Sequence, residues 1–181
     1  MKYFKKIQGE RIYLSPMSLE DAPKYAEWFN DRSNSDGLHY TCNLVGVENE
    51  REFIEDTYKK GKYNFAIVDS STDELIGNCG LSHIDHIDRT AIIGIFIGDE
   101  KNRNKGFGTE ALKLLISYGF DILNLHNISL GVFSFNERAI ACYKKIGFKE
   151  YGRRHEAYFL DGKYHDIISM EILEQDYRKN K

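Results

Sequence analysis

The chain has 181 residues, of which 41% are hydrophobic and 29% charged, a composition typical of a globular protein rather than a disordered or membrane-embedded one. The formal net charge is −3 with acids and bases mixed along the sequence, so we expect no broad basic face and no nucleic-acid partner. No Pro-, Gly- or Ser-rich stretch offers a linker, which predicts a single domain over residues 1–181.

The first part of the chain is predicted to form a strand followed by two helices. Residues 11–14 have the pattern of a strand, and Ser18 begins the first helix as an N-cap followed by acidic residues. The second helix is expected at about 48–60. Strand patterns separated by turn-rich segments follow, and they predict an antiparallel meander at 64–68, 75–84 and 91–97.

The middle of the chain is predicted to form a strand-loop-helix-strand unit. Residues 91–97 are apolar at nearly every position, which predicts a central strand covered on both faces. Apolar residues then recur at helical spacing from Gly108 to Tyr118, and 128–133 has the pattern of the next strand. This order predicts parallel pairing of the two strands.

The last part is predicted to contain one helix and a hairpin. The helix begins at Asn136 and ends at Gly147, where a left-handed cap is expected. Strands at 156–160 and 164–172 are joined by Asp161-Gly162, a hairpin turn signal. The whole pattern predicts an α/β fold of the α+β kind, with a mixed central sheet of about seven strands and helices on both faces.

Features outside these elements indicate a cytoplasmic protein with no membrane partner. Residues 1–6 lack the apolar core of a signal peptide, and the longest apolar run, 91–98, is too short to span a bilayer. The cysteines, Cys42, Cys79 and Cys142, form no Cys-x-x-Cys pair, which favours reduced thiols.

The loop before the third helix has the features of a phosphate site. Gly106 and Gly108 let backbone approach an anion, and the helix that follows directs free N–H groups and the positive end of its dipole toward it. Residues Asn104 to Thr109 are therefore predicted to hold a pyrophosphate. Arg103 and Lys105 add positive charge, although Arg103 has the alternative role of bracing the loop.

Gly106-x-Gly108-x-x-Ala111 also satisfies a dinucleotide-binding pattern. In that pattern the first glycine lies at the strand end, whereas residues 98–105 intervene here, and no carboxylate occurs at 133–135. A nucleotide-binding oxidoreductase therefore remains only as a minor alternative. A P-loop requires Gly-Lys-Ser/Thr after the glycines, which is missing.

Two segments together resemble the GCN5-related N-acetyltransferase (GNAT) superfamily, in the bacterial branch similar to ribosomal-protein N-terminal acetyltransferases and spermidine N-acetyltransferases. They are RNKGFGTEA at 103–111 and NERAIACYKKIGF at 136–148, and the resemblance extends over nearly the whole chain. It implies an acyltransferase that moves the acetyl group of acetyl-CoA, its co-substrate, to a primary amine by direct attack in a ternary complex.

The resemblance also implies the positions of the site residues. The fourth and fifth strands are expected to splay apart at Ile97 and Ile128, with Asn136 near the pantetheine and Tyr143 beside the sulfur. The backbone of the fourth strand would bind the pantetheine, and the loop the pyrophosphate; these cofactor residues are Ile95, Phe96, Ile97, Arg103, Asn104, Lys105, Gly106, Phe107, Gly108 and Thr109.

Acetyl transfer needs a neutral amine and an acid that protonates the departing thiolate. Tyr143 is the candidate catalytic residue, since a phenol is protonated at neutral pH, and the N–H of Ile97 is a candidate oxyanion donor. Two structural readings stay open: Tyr143 packs on the apolar face of its helix, and Asn136 caps that helix.

The group that removes the amine's proton is not evident from the sequence. Relatives often carry a Glu near the start of the central strand, where this chain has Ile92. The missing carboxylate motivates a second alternative, a non-catalytic acyl-CoA-binding module. Substitutes by chemistry alone are Glu27, His39, His83, Asp85 and Asp88. His83 and His86 would point to opposite faces of a strand, so no metal site is expected.

The acceptor is expected opposite the cofactor, between the N-terminal helices and the last hairpin, with walls from Trp28, Tyr40, Tyr158 and Tyr164. Segment 34–47 contains only one carboxylate, Asp36, which disfavours a polyamine. A small-molecule amine or a peptide N-terminus remains as acceptor. An exposed edge strand allows a homo-oligomer.

Overall fold

The computed structural model describes residues 2–38 and 40–179. The chain divides into two compact units, the first formed by Met1–Ser82 with Gly94–Leu115 and the second by His83–Ile93 with Ile116–Lys181. Across the described ranges, no helix is both long and apolar enough to cross a membrane. A single domain over residues 1–181 stays a prediction.

The first unit contains four strands that pair antiparallel in chain order, with helices between the second and third. One of its core clusters comprises Met17, Tyr25, Trp28, Ile54 and Phe96 with Ala22. The side chain of Ser18 accepts from the N–H of Glu20 and caps a short 3-10 turn, Leu19–Asp21. Ser18 is therefore an N-cap, as the sequence predicted. The elements are β1 (Ile7–Gln8), β2 (Ile12–Pro16), α1 (Ala22–Asn30), α2 (Arg32–Ser35), α3 (Val47–Lys59), β3 (Tyr63–Asp69) and most of β4 (Leu75–Asp85).

Two strands and a helix are divided between the units: β4, β5 (Thr90–Ile97) and α4 (Phe107–Asp121). The second unit otherwise contains β6 (Asn127–Phe133), α5 (Glu137–Ile146), β7 (Lys149–Leu160), β8 (Lys163–Leu173) and α6 (Glu174–Lys179). In this unit β6 runs parallel to β5 and antiparallel to β8, and β8 pairs antiparallel with β7.

The hydrogen-bonded strand order is β1-β2-β3-β4-β5-β6-β8-β7. The sheet is therefore mixed, as predicted, and the parallel pairing of β5 with β6 is confirmed. It has eight strands rather than about seven because the two-residue β1 has too short a pattern to be recognised. The fourth and fifth strands of the sequence prediction are β5 and β6.

The prediction that β5 is covered on both faces is wrong. Ala91 and Ile93 are buried, whereas Ile92 is 42% exposed and Gly94 is also exposed. Burial resumes at Phe96, so the alternation shifts by one residue along the strand. An apolar run indicates two buried faces only when protein covers both of them, and that condition is not met here.

The pairing of β5 with β6 is short. It comprises Thr90 with Asn127, Ala91 with Ile128 and Ile92 with Ser129, and in the described residues it goes no further, although β6 stays paired with β8 as far as Phe133. Ile128 thus lies in the paired part, and its assignment to the splay is corrected: separation of the ladder begins after Ser129.

Candidate active site

The glycine loop of the first unit has the backbone conformation of an anion cradle. Asn104 and Gly106 have φ angles of 60° and 86°, and left-handed residues in such a turn direct successive N–H groups toward one side. Helix α4 begins directly afterwards at Phe107. Since the first-turn N–H groups of a helix have no carbonyl partner within it, this geometry can accept an anion, and binding of the acetyl-CoA pyrophosphate stays a prediction.

Gly108 leaves the start of α4 open. A Cβ atom at this position would make only ordinary contacts, 3.6 Å from Cγ1 of Ile97 and 3.8 Å from Cδ1 of Ile95. Neither backbone conformation nor internal packing therefore demands glycine here. The missing side chain instead permits close approach of a ligand to the helix N-terminus.

Arg103 braces the loop against the end of β5. Its Nε donates to the carbonyl of Ile97 at 3.3 Å, and its Nη2 donates to the carbonyl of Gly98 at 3.0 Å. The same Nη2 donates to Oδ1 of the buried Asn34. The structure thus shows the bracing role, and direct contact of Arg103 with a pyrophosphate stays a prediction.

Lys105 is differently placed. Its side chain is exposed and its ammonium makes no ion pair with any described residue, so its charge is available to a bound anion. Its carbonyl accepts from Nη1 of Arg11 at 2.8 Å. The guanidinium of Arg11 also lies over the ring of Phe107, 5.1 Å from its centroid.

Glu110 ties the N-terminal hairpin to α4. Its Oε1 accepts from the backbone N–H groups of Glu10 and Arg11, both at 2.9 Å, and its Oε2 accepts from Nε of Arg11 at 3.1 Å. Partial burial opposes ionisation of Glu110, but these hydrogen bonds outweigh burial and hold its pKa below the usual value. The contact fixes the loop between Arg11 and α4.

We expect Glu110→Ala to lower the free energy of unfolding by about 2 kcal/mol at neutral pH, because several charge-assisted hydrogen bonds are lost together. CoA affinity should fall as well, since Arg11 then no longer holds the loop. Denaturant titration and calorimetry measure the two effects. Glu10→Ala is the matched control, because that exposed residue contributes only its backbone N–H; equal stability of both variants would contradict the bracing role.

A cavity of about 810 Å³ lies in the first unit next to β5. Gly94, Ile95 and Phe96 are among its lining residues, so two of the residues predicted to bind the pantetheine border it. The other described lining residues come from α1, α3, β3, β4 and the segment before α3: Phe29, Leu38, Tyr40, Cys42, Asn43, Leu44, Val45, Asn49, Glu50, Phe53, Asn64, Asn78, Cys79, Gly80 and Ser82.

Glu50 is the carboxylate of this cavity. It is 6% exposed and lies on the buried face of α3 with Ile54 and Thr57. Burial raises the pKa of Glu50 to about 7. Sequence reasoning missed it by counting carboxylates only over 34–47; the signal available was a Glu four residues before Ile54, on the apolar stripe of a helix.

The expected aromatic walls are only partly present. Tyr40 lines the cavity and stacks on Phe29 with ring centroids 5.1 Å apart. Trp28 does not line it, because its ring is buried in the core and its Nε1 donates to Asp99 at 2.8 Å. Tyr158 and Tyr164 belong to the second unit, where Tyr158 is buried and Tyr164 is 63% exposed.

Helix α5 of the second unit carries the remaining predicted site residues. Oδ1 of Asn136 accepts from the N–H of Ala139 at 3.2 Å, so Asn136 is the N-cap, and Gly147 ends the helix with a φ angle of 116°. The Tyr143 ring packs edge-on against Phe148 at 5.8 Å. Burial raises the pKa of Tyr143 to about 12, and its hydroxyl has no hydrogen-bond partner among the described residues.

Among the substitute bases named from sequence, those that the structure describes do not line the cavity. Glu27 pairs with Lys24 at 3.0 Å, and Asp85 accepts from the N–H groups of a turn, including that of Asp88 at 2.8 Å. His83 is exposed, and His39 lies outside the described residues. Over the described ranges, no group of three or more His, Cys, Asp or Glu side chains is arranged to hold a metal ion.

Comparison with known proteins identifies the family of this chain. The acetyltransferase (GNAT) domain matches residues 11–149, so the chain belongs to the GNAT family. Over 172 residues it is 31% identical to "Uncharacterized N-acetyltransferase p20" of Bacillus licheniformis, covering 93% of this chain and 96% of that protein.

Two comparisons involve spermidine acetyltransferases. Spermidine N(1)-acetyltransferase of Vibrio cholerae is 35% identical over 128 residues, covering 68% of this chain and 73% of that protein. The crystal structure of spermidine N-acetyltransferase from Vibrio cholerae in complex with CoA and spermine has a TM-score of 0.85 at 27% identity, covering 94% of this chain and 99% of that one. The predicted GNAT fold is confirmed.

The protein is therefore an N-acetyltransferase that transfers the acetyl group of acetyl-CoA to an amine. This result confirms the predicted enzyme class and co-substrate. It removes the two alternatives, a nucleotide-binding oxidoreductase and a non-catalytic acyl-CoA-binding module.

Proposed function

We propose that the acceptor is a primary amine with one positive charge on an apolar or aromatic body, acetylated in the cavity beside β5. The observation that carries this proposal is the described lining, which combines a single carboxylate, Glu50, with side chains such as Phe29, Leu38 and Phe53. Such a site binds an apolar body through burial and orients it through a few polar groups.

Polyamines fit this lining less well. Spermidine, the acceptor in the name of the Vibrio cholerae relative, carries several positive charges, and each charge taken out of water needs a partner. Glu50 is the one carboxylate among the described lining residues. Asp36 nearby in sequence already accepts from Arg32 at 3.1 Å and from Thr41 at 2.9 Å.

We propose that acetyl-CoA is held by the loop and by the end of β5. The cradle at Asn104 to Thr109 and the charge of Lys105 would bind the pyrophosphate, while backbone groups of Ile95 to Ile97 would bind the pantetheine. The N–H of Ile97 is the proposed oxyanion donor. When bound, acetyl-CoA supplies the activated acyl group; the residues of the chain bind, orient and move protons.

We propose Tyr143 as the acid that protonates the leaving thiolate, and Asn136 as a pantetheine contact that also caps α5. The pKa of about 12 keeps the Tyr143 phenol protonated at every physiological pH. Burial raises the pKa of a thiol as well as that of a phenol. In a buried site the Tyr143 phenol would therefore still be able to protonate the leaving thiolate. The unengaged hydroxyl supports this role.

We also propose a cytoplasmic location, where reduced thiols persist, and a homo-oligomer. Cys42, Cys79 and Cys142 are all free. Strand β7 is twelve residues long and lies at one end of the strand order, which suits pairing with a second copy. Sedimentation as a monomer at micromolar concentration would contradict the oligomer.

A rate comparison across three acceptors tests the proposed function. Phenethylamine has one charge and an aromatic body, spermidine has several charges, and a short peptide with a free N-terminus has one charge on a polar body. We expect kcat/KM for phenethylamine to exceed that for spermidine by at least about tenfold, because unpaired buried charge is costly. The measurement is thiol release with a mass gain of one acetyl group; a preference for spermidine would contradict the acceptor class.

A further inference from the structure

The Glu50 carboxylate is buried without a protein cation to neutralise it. No described residue hydrogen-bonds to it or forms an ion pair with it, and the described lining of the cavity contains no Lys, Arg or His. An unpaired buried carboxylate is costly and is most readily retained where a ligand supplies the missing cation. An acceptor ammonium is such a cation.

The polar groups around Glu50 do not replace that cation. The Asn49 side chain already accepts from the N–H of Gly46 at 2.9 Å, and Asn64 donates to Oγ1 of Thr57 at 3.3 Å. These bonds are local to α3 and to its contact with β3. The amides therefore shape the cavity, and Glu50 provides its negative charge.

The cavity also connects Glu50 with β5. Gly94, Ile95 and Phe96 line the same space as Glu50, and Ile95 and Phe96 are two of the residues proposed to hold the pantetheine. An amine bound to Glu50 would thus lie in the same cavity that borders the proposed position of the acetyl group of acetyl-CoA. Ile92, which stands where relatives often have a Glu, does not line the described cavity.

We propose that Glu50 binds the acceptor's ammonium group and accepts its proton before acetyl transfer. This inference rests on the proposed function and names the proton acceptor of that same site. In the step, one N–H bond of R–NH3⁺ breaks, an O–H bond forms on Glu50, and the electron pair stays on nitrogen. The proton passes to solvent after the acetylated product leaves, which restores the carboxylate.

The pKa of about 7 suits this role, since a base titrating near the working pH combines an ionised fraction with proton affinity. Other titratable groups face the same region: Tyr25 from α1, Cys79 from β4, and Tyr40 and Cys42 from the segment before α3. Burial raises the pKa of Tyr25 and of Cys79, so neither ionises near neutral pH.

The test is the pH dependence of kcat/KM for Glu50→Gln and wild type with phenethylamine, between pH 6 and 9. We expect the wild-type value to rise through an apparent pKa near 7 and then level off. The kcat/KM of the variant should be about 100-fold lower than that of wild type at pH 7. It should keep rising tenfold per pH unit, because the variant depends on neutral amine from solution.

Three controls separate the outcomes. Glu52→Gln, an exposed position two residues from Glu50 on α3, should keep the wild-type profile. Cys42→Ser, which replaces a thiol of the cavity lining, should keep the limb near pH 7 whatever its effect on the rate. Calorimetry should show unchanged CoA affinity for Glu50→Gln. If kcat/KM of Glu50→Gln and of wild type depended on pH in the same way, the inference would be overturned. If wild type acetylated no amine, the proposed function itself would be overturned.

Discussion

Tyr143→Phe should lower kcat by about 100- to 1000-fold while the KM values for acetyl-CoA and amine change little. The phenol hydroxyl is the proposed proton donor to the thiolate, and general acid catalysis contributes on this scale. The ring of Phe retains the edge-on packing against Phe148 at 5.8 Å. Initial rates at saturating concentrations of both substrates measure the effect.

The loss must be chemical rather than structural for this interpretation to hold. CoA affinity and unfolding free energy of Tyr143→Phe should therefore match those of wild type. Tyr151→Phe, an exposed tyrosine in the same unit, is the control and should keep full activity. A Tyr143→Phe enzyme with wild-type kcat would show that Tyr143 only packs in α5.

Gly98→Ala should lower the free energy of unfolding by about 3 kcal/mol. A Cβ atom at 98 would overlap the indole ring of Trp28. That ring cannot move away cheaply, because it is buried, packs edge-on against Phe96 at 5.4 Å and donates to Asp99 at 2.8 Å. Overpacking of a fixed core is costly.

The same substitution should weaken CoA binding, since the carbonyl of Gly98 is one of the acceptors that hold Arg103. Thermal and denaturant unfolding measure the stability, and calorimetry the affinity. Gly94→Ala is the control on β5, the strand that ends just before Gly98: a Cβ at 94 meets nothing within 4 Å, so the stability of this variant should stay within about 0.5 kcal/mol of wild type. Equal losses at both positions would contradict the packing argument.

Elements with strong local signals were predictable from sequence. Helix α5 begins after Asn136 and ends at Gly147, as its cap residues indicate. Asp161 and Gly162 have φ angles of 48° and 78°, as the predicted hairpin turn requires. Strand β5 was located correctly but its burial was not, because periodicity does not reveal what covers each face.

The candidate site, too, was predictable only where its signal is local in the sequence. The loop from Arg103 to Thr109 was predictable because its glycines and the following helix are adjacent in sequence. The contact of Arg11 with Glu110 joins residues 99 positions apart, and no local pattern encodes such a pairing. Glu50 was missed because its importance depends on burial in a cavity, which tertiary packing creates.

The most direct test of the proposed site is a crystal structure of the dead-end complex with CoA and phenethylamine. We predict the amine nitrogen within about 3 Å of the Glu50 carboxylate, the pyrophosphate at the N–H groups of the loop up to Thr109, and the pantetheine along Ile95 to Ile97. An amine bound outside the cavity, with Glu50 left unpaired, would contradict this assignment of the acceptor site.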